Sequence, residues 1–270
     1  MSEIATMINK VRHKQPLVHN ITNQVVVNFT ANGLYALGAA PVMANAVEEV
    51  ADMVKNADAL SLNIGTLTTP QVEAMIIAGK AANEKGIPVV LDPVGVGATP
   101  FRTEAAQKIL KEVDISIVRG NAGEISHLAG LDIPMKGVDT NLKGDNREVA
   151  LKVVKQLGLP VIVTGKQDVI TDGKRCYLID NGVELLTKVT GAGCLLSSVV
   201  AAFLTTGDDL LEAATGAVGF YGVASEVAAE HISGPGSFQI ALLDAIYQLN
   251  SDVVKDTIKL DHIIVSEKEM

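Results

Sequence analysis

Val189-Thr190-Gly191-Ala192-Gly193-Cys194-Leu195-Leu196-Ser197-Ser198-Val199-Val200-Ala201-Ala202-Phe203 reads as a glycine-punctuated turn that opens a buried helix. A helix start leaves its first N–H groups without intrahelical acceptors, and the dipole adds positive potential there. The junction therefore suits an anion, above all a phosphate. Gly191 and Gly193 let the backbone approach such a ligand with no Cβ in the way. Cys194 falls in the first turn of the helix, where a thiol pKa is expected to drop. A tightly packed strand-to-helix turn explains the same residues, and a Gly-x-Gly pair by itself does not choose between the two readings.

Upstream, short apolar runs alternate with helical patterns. Ala59–Ile64, Pro88–Pro93, Ile115–Arg119 and Pro160–Gly165 read as strands. The helices between and after them run from Thr69 to about Glu84, Thr103 to Val113, Ala122 to Leu128 and Glu148 to Gln156, the last preceded by a polar stretch over 136–146. Pro70 just inside the first of these and Gly86 just beyond it are start and stop signals. Nearer the N-terminus, Ile4, Met7, Ile8 and Val11 share one helical face, and Pro16 ends that helix. Leu17–Asn23 reads as a polar-studded turn before a helix over Val25–Leu37. Its amides and hydroxyls are explained by Thr22 or Asn23 capping that helix, or by a polar wall for a small ligand. Ala40–Ala46 is a loop or short strand, and Glu48–Asn56 a short helix.

Val169–Thr171, Cys176–Ile179 and Glu184–Leu186 look like short antiparallel strands with turns at Asp172-Gly173 and Asn181-Gly182. Beyond Cys194 the pattern is helical over Leu195–Leu204, Leu210–Glu230 and Phe238–Leu249, with an edge strand at His262–Val265. Strands alternating with helices predict right-handed βαβ units. The fold class is α/β: a mostly parallel central sheet with helices on both faces. With no Pro/Ser-rich linker and no repeat, residues 1–270 read as a single domain.

Composition narrows the function. Hydrophobic residues make up 48% of 270, Trp is absent, and Ala, Val, Ile and Leu supply most of the apolar content, as buried parallel strands require. A net charge of -9 without a basic stripe argues against nucleic acid and against an anionic membrane surface. Cys176 and Cys194 alone cannot build a disulfide framework or a four-cysteine zinc site. No apolar signal core lies between Met1 and Pro16, and no apolar run reaches about 18 residues, so a soluble cytoplasmic protein is expected.

In open parallel sheets, ligands bind beyond the carboxyl ends of the strands. Those ends carry Asn63 with Gly65 and Thr66, then Asp92, Arg119 with Asn121, and Thr164 with Gly165. Each is an ordinary turn residue taken singly. Together they set an acid, a guanidinium and hydroxyls along one edge, facing the Gly191–Cys194 helix start. Phosphoryl transfer uses such a set: an acid for a metal, an arginine for phosphate charge, N–H donors for the migrating group. Gly-x4-Gly-Lys-Ser/Thr, Gly-x-Gly-x-x-Gly after the first strand, His-Glu-x-x-His and Gly-x-Ser-x-Gly are all absent. Among the histidines only His19 lies in a polar stretch; it reads as structural, with ligand contact the alternative.

The motifs Pro16–Asn23, Asn28–Leu34, Gly38–Met43, Leu62–Leu67, Leu91–Gly95, Arg119–Ile125, Val163–Asp168 and Val189–Cys194 resemble those of the hydroxyethylthiazole kinase family, in the ribokinase-like superfamily. The resemblance spans about Pro16 to Leu249. It implies ATP- and Mg2+-dependent phosphorylation of a primary alcohol in thiamine biosynthesis or salvage, by a homotrimer with the thiazole near subunit interfaces. By motif position, Met43, Gly191 and Asn23 resemble substrate contacts, and Arg119 and Thr164 resemble nucleotide contacts. Asp92 and Glu124 resemble acids that hold magnesium directly or through water. Gly191, Ala192, Gly193 and Cys194 resemble the superfamily's anion hole.

Cys194 departs from the superfamily, which usually has Asp there as the base for the alcohol proton. The thiazole kinase family is similar to this chain in having Cys. A thiol must fall from about 8.5 to supply much thiolate. The helix start favours that fall and a bound triphosphate opposes it. A weak base is expected, with positioning and charge neutralisation carrying most of the rate. Competing readings are another ribokinase-like kinase acting on a hydroxymethylpyrimidine or a sugar, a hydrolase with Cys194 as nucleophile, and a nucleotide-binding regulator without catalysis.

Overall fold

The structure is a computed structural model that describes residues 2–131, 146–207, 209–230 and 232–266; the polar stretch at 136–145 lies outside them. Among the described residues nine strands form one sheet: β1 (Leu17–Ile21), β2 (Ala40–Val42), β3 (Ala59–Asn63), β4 (Val89–Asp92), β5 (Ile117–Asn121), β6 (Val161–Thr164), β7 (Asp168–Thr171), β8 (Arg175–Ile179) and β9 (Leu260–Ile264). Their order is β2-β1-β3-β4-β5-β6-β7-β8-β9. The strands from β2 across to β6 are parallel. From β6 to β9 the pairings are antiparallel.

The helices are α1 (Ser2–Lys14), α2 (Val27–Leu37), α3 (Val50–Val54), α4 (Thr69–Lys85), α5 (Pro100–Glu112), α6 (Ala122–Leu128), α7 (Asn146–Leu157), α8 (Ala192–Leu204), α9 (Leu210–Ala229), α10 (Pro235–Gln248) and α11 (Ser251–Thr257). They form two layers. One apolar cluster joins α1, α2, α8, α9 and α10 to Val18, Ala59, Val90, Ile117 and Ile162 of the sheet. The other joins α3–α7 to Ile21, Leu60, Leu62, Val89, Leu91, Val118, Val161 and Val163. The two sets alternate along each strand, as a period of two requires. This is the expected α/β arrangement with helices on both faces.

That alternation positions the polar residues. Val18, Ala59, Val90, Ile117 and Ile162 face the α8 layer. Asn20, Ser61, Asn63, Asp92, Arg119 and Thr164 lie an even number of residues further along the same strands, so they share that face. Helix α8 packs directly over β1, β3 and β4. It is apolar nearly all round and buried from Leu195 to Phe203, with α9 on its other side.

Some local expectations change. Leu17–Ile21 is a parallel strand rather than a turn, because His19 and Asn20 find partners inside the fold. The Asn20 amide donates to Val18 O at 2.9 Å, and His19 Nε2 lies 2.8 Å from Ala44 O. Burial lowers the pKa of His19. Neither Thr22 nor Asn23 caps α2, whose N-cap is Val26 without a side-chain bond. Glu184–Lys188 is a 3-10 turn rather than a strand; none of its residues is fully buried, and Leu185 and Leu186 pack partly buried on the α8–α10 side of the core. Helix α5 begins at Pro100, where Thr99 caps it, ahead of the expected Thr103. Strand β5 runs on through Gly120-Asn121, since Asn121 pairs with Thr164 of β6.

Candidate active site

The turn before α8 is closed by Gly191 in the left-handed region, φ 88°. A residue with a Cβ there would be strained and would run into Val26. The first rung of the helix is Leu195 N–H to Gly191 O at 2.8 Å, which leaves Gly193 and Cys194 N–H without intrahelical acceptors. Ala192 N–H turns back to Val189 O at 3.3 Å, so of the four expected anion-hole residues it is the one already engaged. Tyr221 anchors this start, its hydroxyl donating to Ala192 O at 2.8 Å.

Opposite the helix start lies a connected polar array. Asn63 and Asp92 are direct register partners on β3 and β4, and the Asn63 amide donates to Asp92 Oδ2 at 2.8 Å. Ser197 Oγ, one turn into α8, donates to the same oxygen at 2.8 Å. Arg119 Nη1 lies 3.8 Å from it. Arg119 Nη2 in turn donates to Thr164 Oγ1 at 2.9 Å. Asn23 Nδ2 donates to Asn63 Oδ1 at 2.8 Å and approaches Cys194 Sγ at 3.4 Å. Beneath this layer Ser198 donates to Asn20 Oδ1 at 2.7 Å and sits 3.4 Å from Ser61 Oγ. Such buried networks are rigid when their members are satisfied.

Burial dominates the electrostatics. Asp92 is fully buried and its carboxyl is pushed up to about 6, despite Arg119 and the two donors on Oδ2, which pull the other way. The thiol of Cys194 is pushed up to about 11, first by burial and then by the charge of Asp92; Asn63, Arg119 and Asn23 only partly offset this. The expected fall is therefore reversed, because burial takes the thiolate out of water and sets it beside the charge of Asp92. Asp168, which accepts Gly165 N–H at 2.9 Å beside the Thr164 end of β6, is likewise pushed up to about 7 by burial.

The structure brings Asn23, Asp92, Arg119, Thr164, Gly193 and Cys194 together. Glu124 is nearby, close enough for its charge to raise Asp92. Both Glu124 oxygens, however, accept backbone N–H groups, from Gly95 at 2.9 Å and Asn121 at 3.0 Å, and with Asn121 it forms the capping box of α6. Met43 follows the edge strand β2, two strands from β3, and the hydrogen-bond network among the described residues does not include it. Ser197 was missed in the sequence reading because it sits inside an apolar run; paired serines in an otherwise buried helix are the signal that marks it.

Asp92 has the free oxygen that a magnesium ligand needs. Asp92 Oδ1 is buried without a partner and so keeps its lone pairs. Mg2+ retains several waters and asks a protein for one or two carboxylates plus substrate phosphates.

The arrangement of sheet and helices is also found in solved structures. Pyridoxal kinase from Staphylococcus aureus, in complex with ADP, matches with a TM-score of 0.65 over 92% of this chain and 98% of that one, at 16% identity. A ribokinase-like superfamily protein from Enterococcus faecalis matches with a TM-score of 0.61 over 89% of each chain, at 14% identity. These likenesses are of fold alone: the chain shares its α/β architecture with both. The hydroxyethylthiazole kinase family model matches residues 8–252. The structure of hydroxyethylthiazole kinase from Pyrococcus horikoshii is 41% identical, with a TM-score of 0.90 over 97% of this chain and all of that one. The chain belongs to the hydroxyethylthiazole kinase family, and it is a kinase.

Proposed function

We propose that the protein transfers the γ-phosphoryl group of ATP to the primary hydroxyl of 4-methyl-5-(2-hydroxyethyl)thiazole, in thiamine biosynthesis or salvage. One observation carries this reading: Cys194, Asp92 and Arg119 converge on one face of the sheet at the uncapped start of α8. Arg119 and Thr164 hold the nucleotide phosphates, and the N–H groups of Gly193 and Cys194 receive the migrating phosphoryl oxygens. Asp92, with Glu124 behind it through water, would hold Mg2+, which neutralises charge on the phosphates when bound. Asn23 and Met43 wall the alcohol, and Asn23 orients Cys194 Sγ towards the hydroxyl.

A thiol held near 11 is protonated at neutral pH, so Cys194 acts chiefly by positioning the hydroxyl; only its small thiolate fraction can take the hydroxyl proton, late, as the bond to phosphorus forms. A loose transition state needs little base assistance before that point. Cys194→Ala is therefore expected to lower kcat about tenfold, while Cys194→Asp keeps or raises it. Wild-type turnover in Cys194→Ala would show that the proton-acceptor role is wrong.

The same reading extends to a single kinase domain over the whole chain, a homotrimer and a cytoplasmic site of action. Exposed Tyr35 on α2 and Ile240 and Tyr247 on α10, two helices packed together, support self-association. Among the described residues no helix is long and apolar enough to cross a membrane. Substrate choice is tested by ADP release from Mg2+-ATP with the thiazole alcohol, using hydroxymethylpyrimidine as comparison. Thiazole-dependent release supports the assignment, and release only with the pyrimidine overturns it.

A further inference from the structure

Arg102 occupies the first turn of α5, where a positive charge meets the positive end of its own helix dipole. Its side chain does not serve that helix. Nη1 donates to Ile64 O and Val94 O, both at 2.9 Å, and Nη2 donates to Gly65 O at 2.7 Å. Ile64 and Gly65 follow β3, and Val94 follows β4. One guanidinium thus straps together the two loops that leave the carboxyl ends of neighbouring strands.

Each strapped loop supports a different half of the site. Gly65 lies against Asn23 so closely that a Cβ there would come within 2.7 Å of Asn23 Nδ2. The loop after β4 holds Gly95, whose N–H fixes Glu124 at 2.9 Å. Gly95 itself rests on the arginine: a Cβ there would lie 3.4 Å from Arg102 Cδ and Nη1. The loops are otherwise joined near this point by Ile64 N–H to Asp92 O at 3.2 Å.

We infer that Arg102 is a positioning residue, which sets the alcohol-binding wall at Asn23 against the magnesium-side acid at Glu124 by clamping the Ile64–Gly65 and Val94–Gly95 backbones to one planar donor group. This rests on the roles given above to Asn23 and Glu124. Arginine suits the task because its rigid fork reaches separate acceptors at fixed angles, whereas a lysine ammonium presents one nitrogen on a flexible stem. The nucleotide contacts Arg119 and Thr164 lie on β5 and β6 and are bonded to each other, so they stand apart from the strap.

The test uses Arg102→Met in the full chain, with two readouts. Amide hydrogen exchange of the unliganded protein is expected to speed up about tenfold or more over residues 63–66 and 93–97, with α8 left unchanged. In steady-state assays the KM for the alcohol and the Mg2+ requirement are expected to rise about fivefold, while the KM for ATP moves less than about twofold. Arg102→Lys should recover part of each loss. Unchanged loop exchange, or a fall in kcat that tracks the folded fraction with every KM at its wild-type value, would overturn the inference. If Arg102→Met does not fold, Arg102→Lys carries the same readouts, and wild-type behaviour on both overturns it equally. Asn23→Ala and Glu124→Gln serve as references. If they leave the alcohol KM and the Mg2+ requirement unchanged while Arg102→Met loosens the loops, the site assignment fails and the strap stands.

Discussion

Asp92→Asn is expected to lower kcat/KM about a thousandfold or more, a loss of about 4 kcal/mol of transition-state stabilisation. The substitution keeps the shape of the side chain. Its amide oxygen still accepts from Asn63 and Ser197, whose bonds to Asp92 Oδ2 are both 2.8 Å. What disappears is the negative charge and the unpartnered Oδ1, the feature that fits a cation. Arg119 also loses its only carboxylate among the described ion pairs. Steady-state kinetics at mildly alkaline pH, with a melting curve as control, checks this; activity within tenfold of wild type would remove Asp92 from the metal role.

The same residue is expected to set the acid limb of the free enzyme. Burial pushes its carboxyl up to about 6, so kcat/KM should fall below that pH, well above the range of an ordinary carboxylate. The linkage to stability runs the other way. The folded state binds this proton more tightly than the unfolded state does. The stabilising contribution is complete below the ordinary value of 3.8 and is lost as pH rises through about 6. The ionised form needed for activity is thus the form that burial disfavours, and Asn in its place escapes that penalty.

Gly193→Ala is expected to cost about a hundredfold or more in turnover while leaving the melting temperature unchanged or slightly higher. Gly193 sits in the first turn of α8, where alanine is the better helix former by up to about 1 kcal/mol. The added Cβ would come within 2.7 Å of Arg119 Nη1 and 2.9 Å of Nη2. Those are the ends of a side chain that can swing away, so folding pays little. Function pays more, because the displaced guanidinium leaves Thr164 and the methyl group occupies the approach to the N–H donors. Gly191→Ala should behave differently: with φ 88° and Val26 in the way, it should lose stability as well as activity. Parallel kinetics and thermal melts on both variants separate the two. Gly193→Ala with wild-type kcat would mean that phosphate does not approach this turn.

Local signals were legible to the extent that they are local. Pro70, Gly86 and the apolar runs marked α4, β3 and β4 because capping and burial period act over a few residues. The run Leu17–Ile21 was misread because His19 and Asn20 are polar, and only the partners supplied by Ala44, Val18 and Ser198 make a buried strand of them. Arg102 and Ser197 were invisible as site residues, since each acts on groups far away in the chain. An arginine in a first turn that has no acid was the available signal for Arg102.

By itself the sequence determined the alternation of strands and helices, the polar strand ends, and the glycine-flanked cysteine opening an apolar helix. Each of these depends on backbone propensity and side-chain period within one segment. Only the tertiary structure decided that β3, β4 and β5 lie side by side in the register that pairs Asn63 with Asp92 and sets Arg119 beside it. It also decided that the Cys194 thiol rises rather than falls. Strand adjacency is a non-local pairing, and the cost of a buried charge belongs to the packed surroundings of a residue, neither of which is written in its immediate neighbours along the chain.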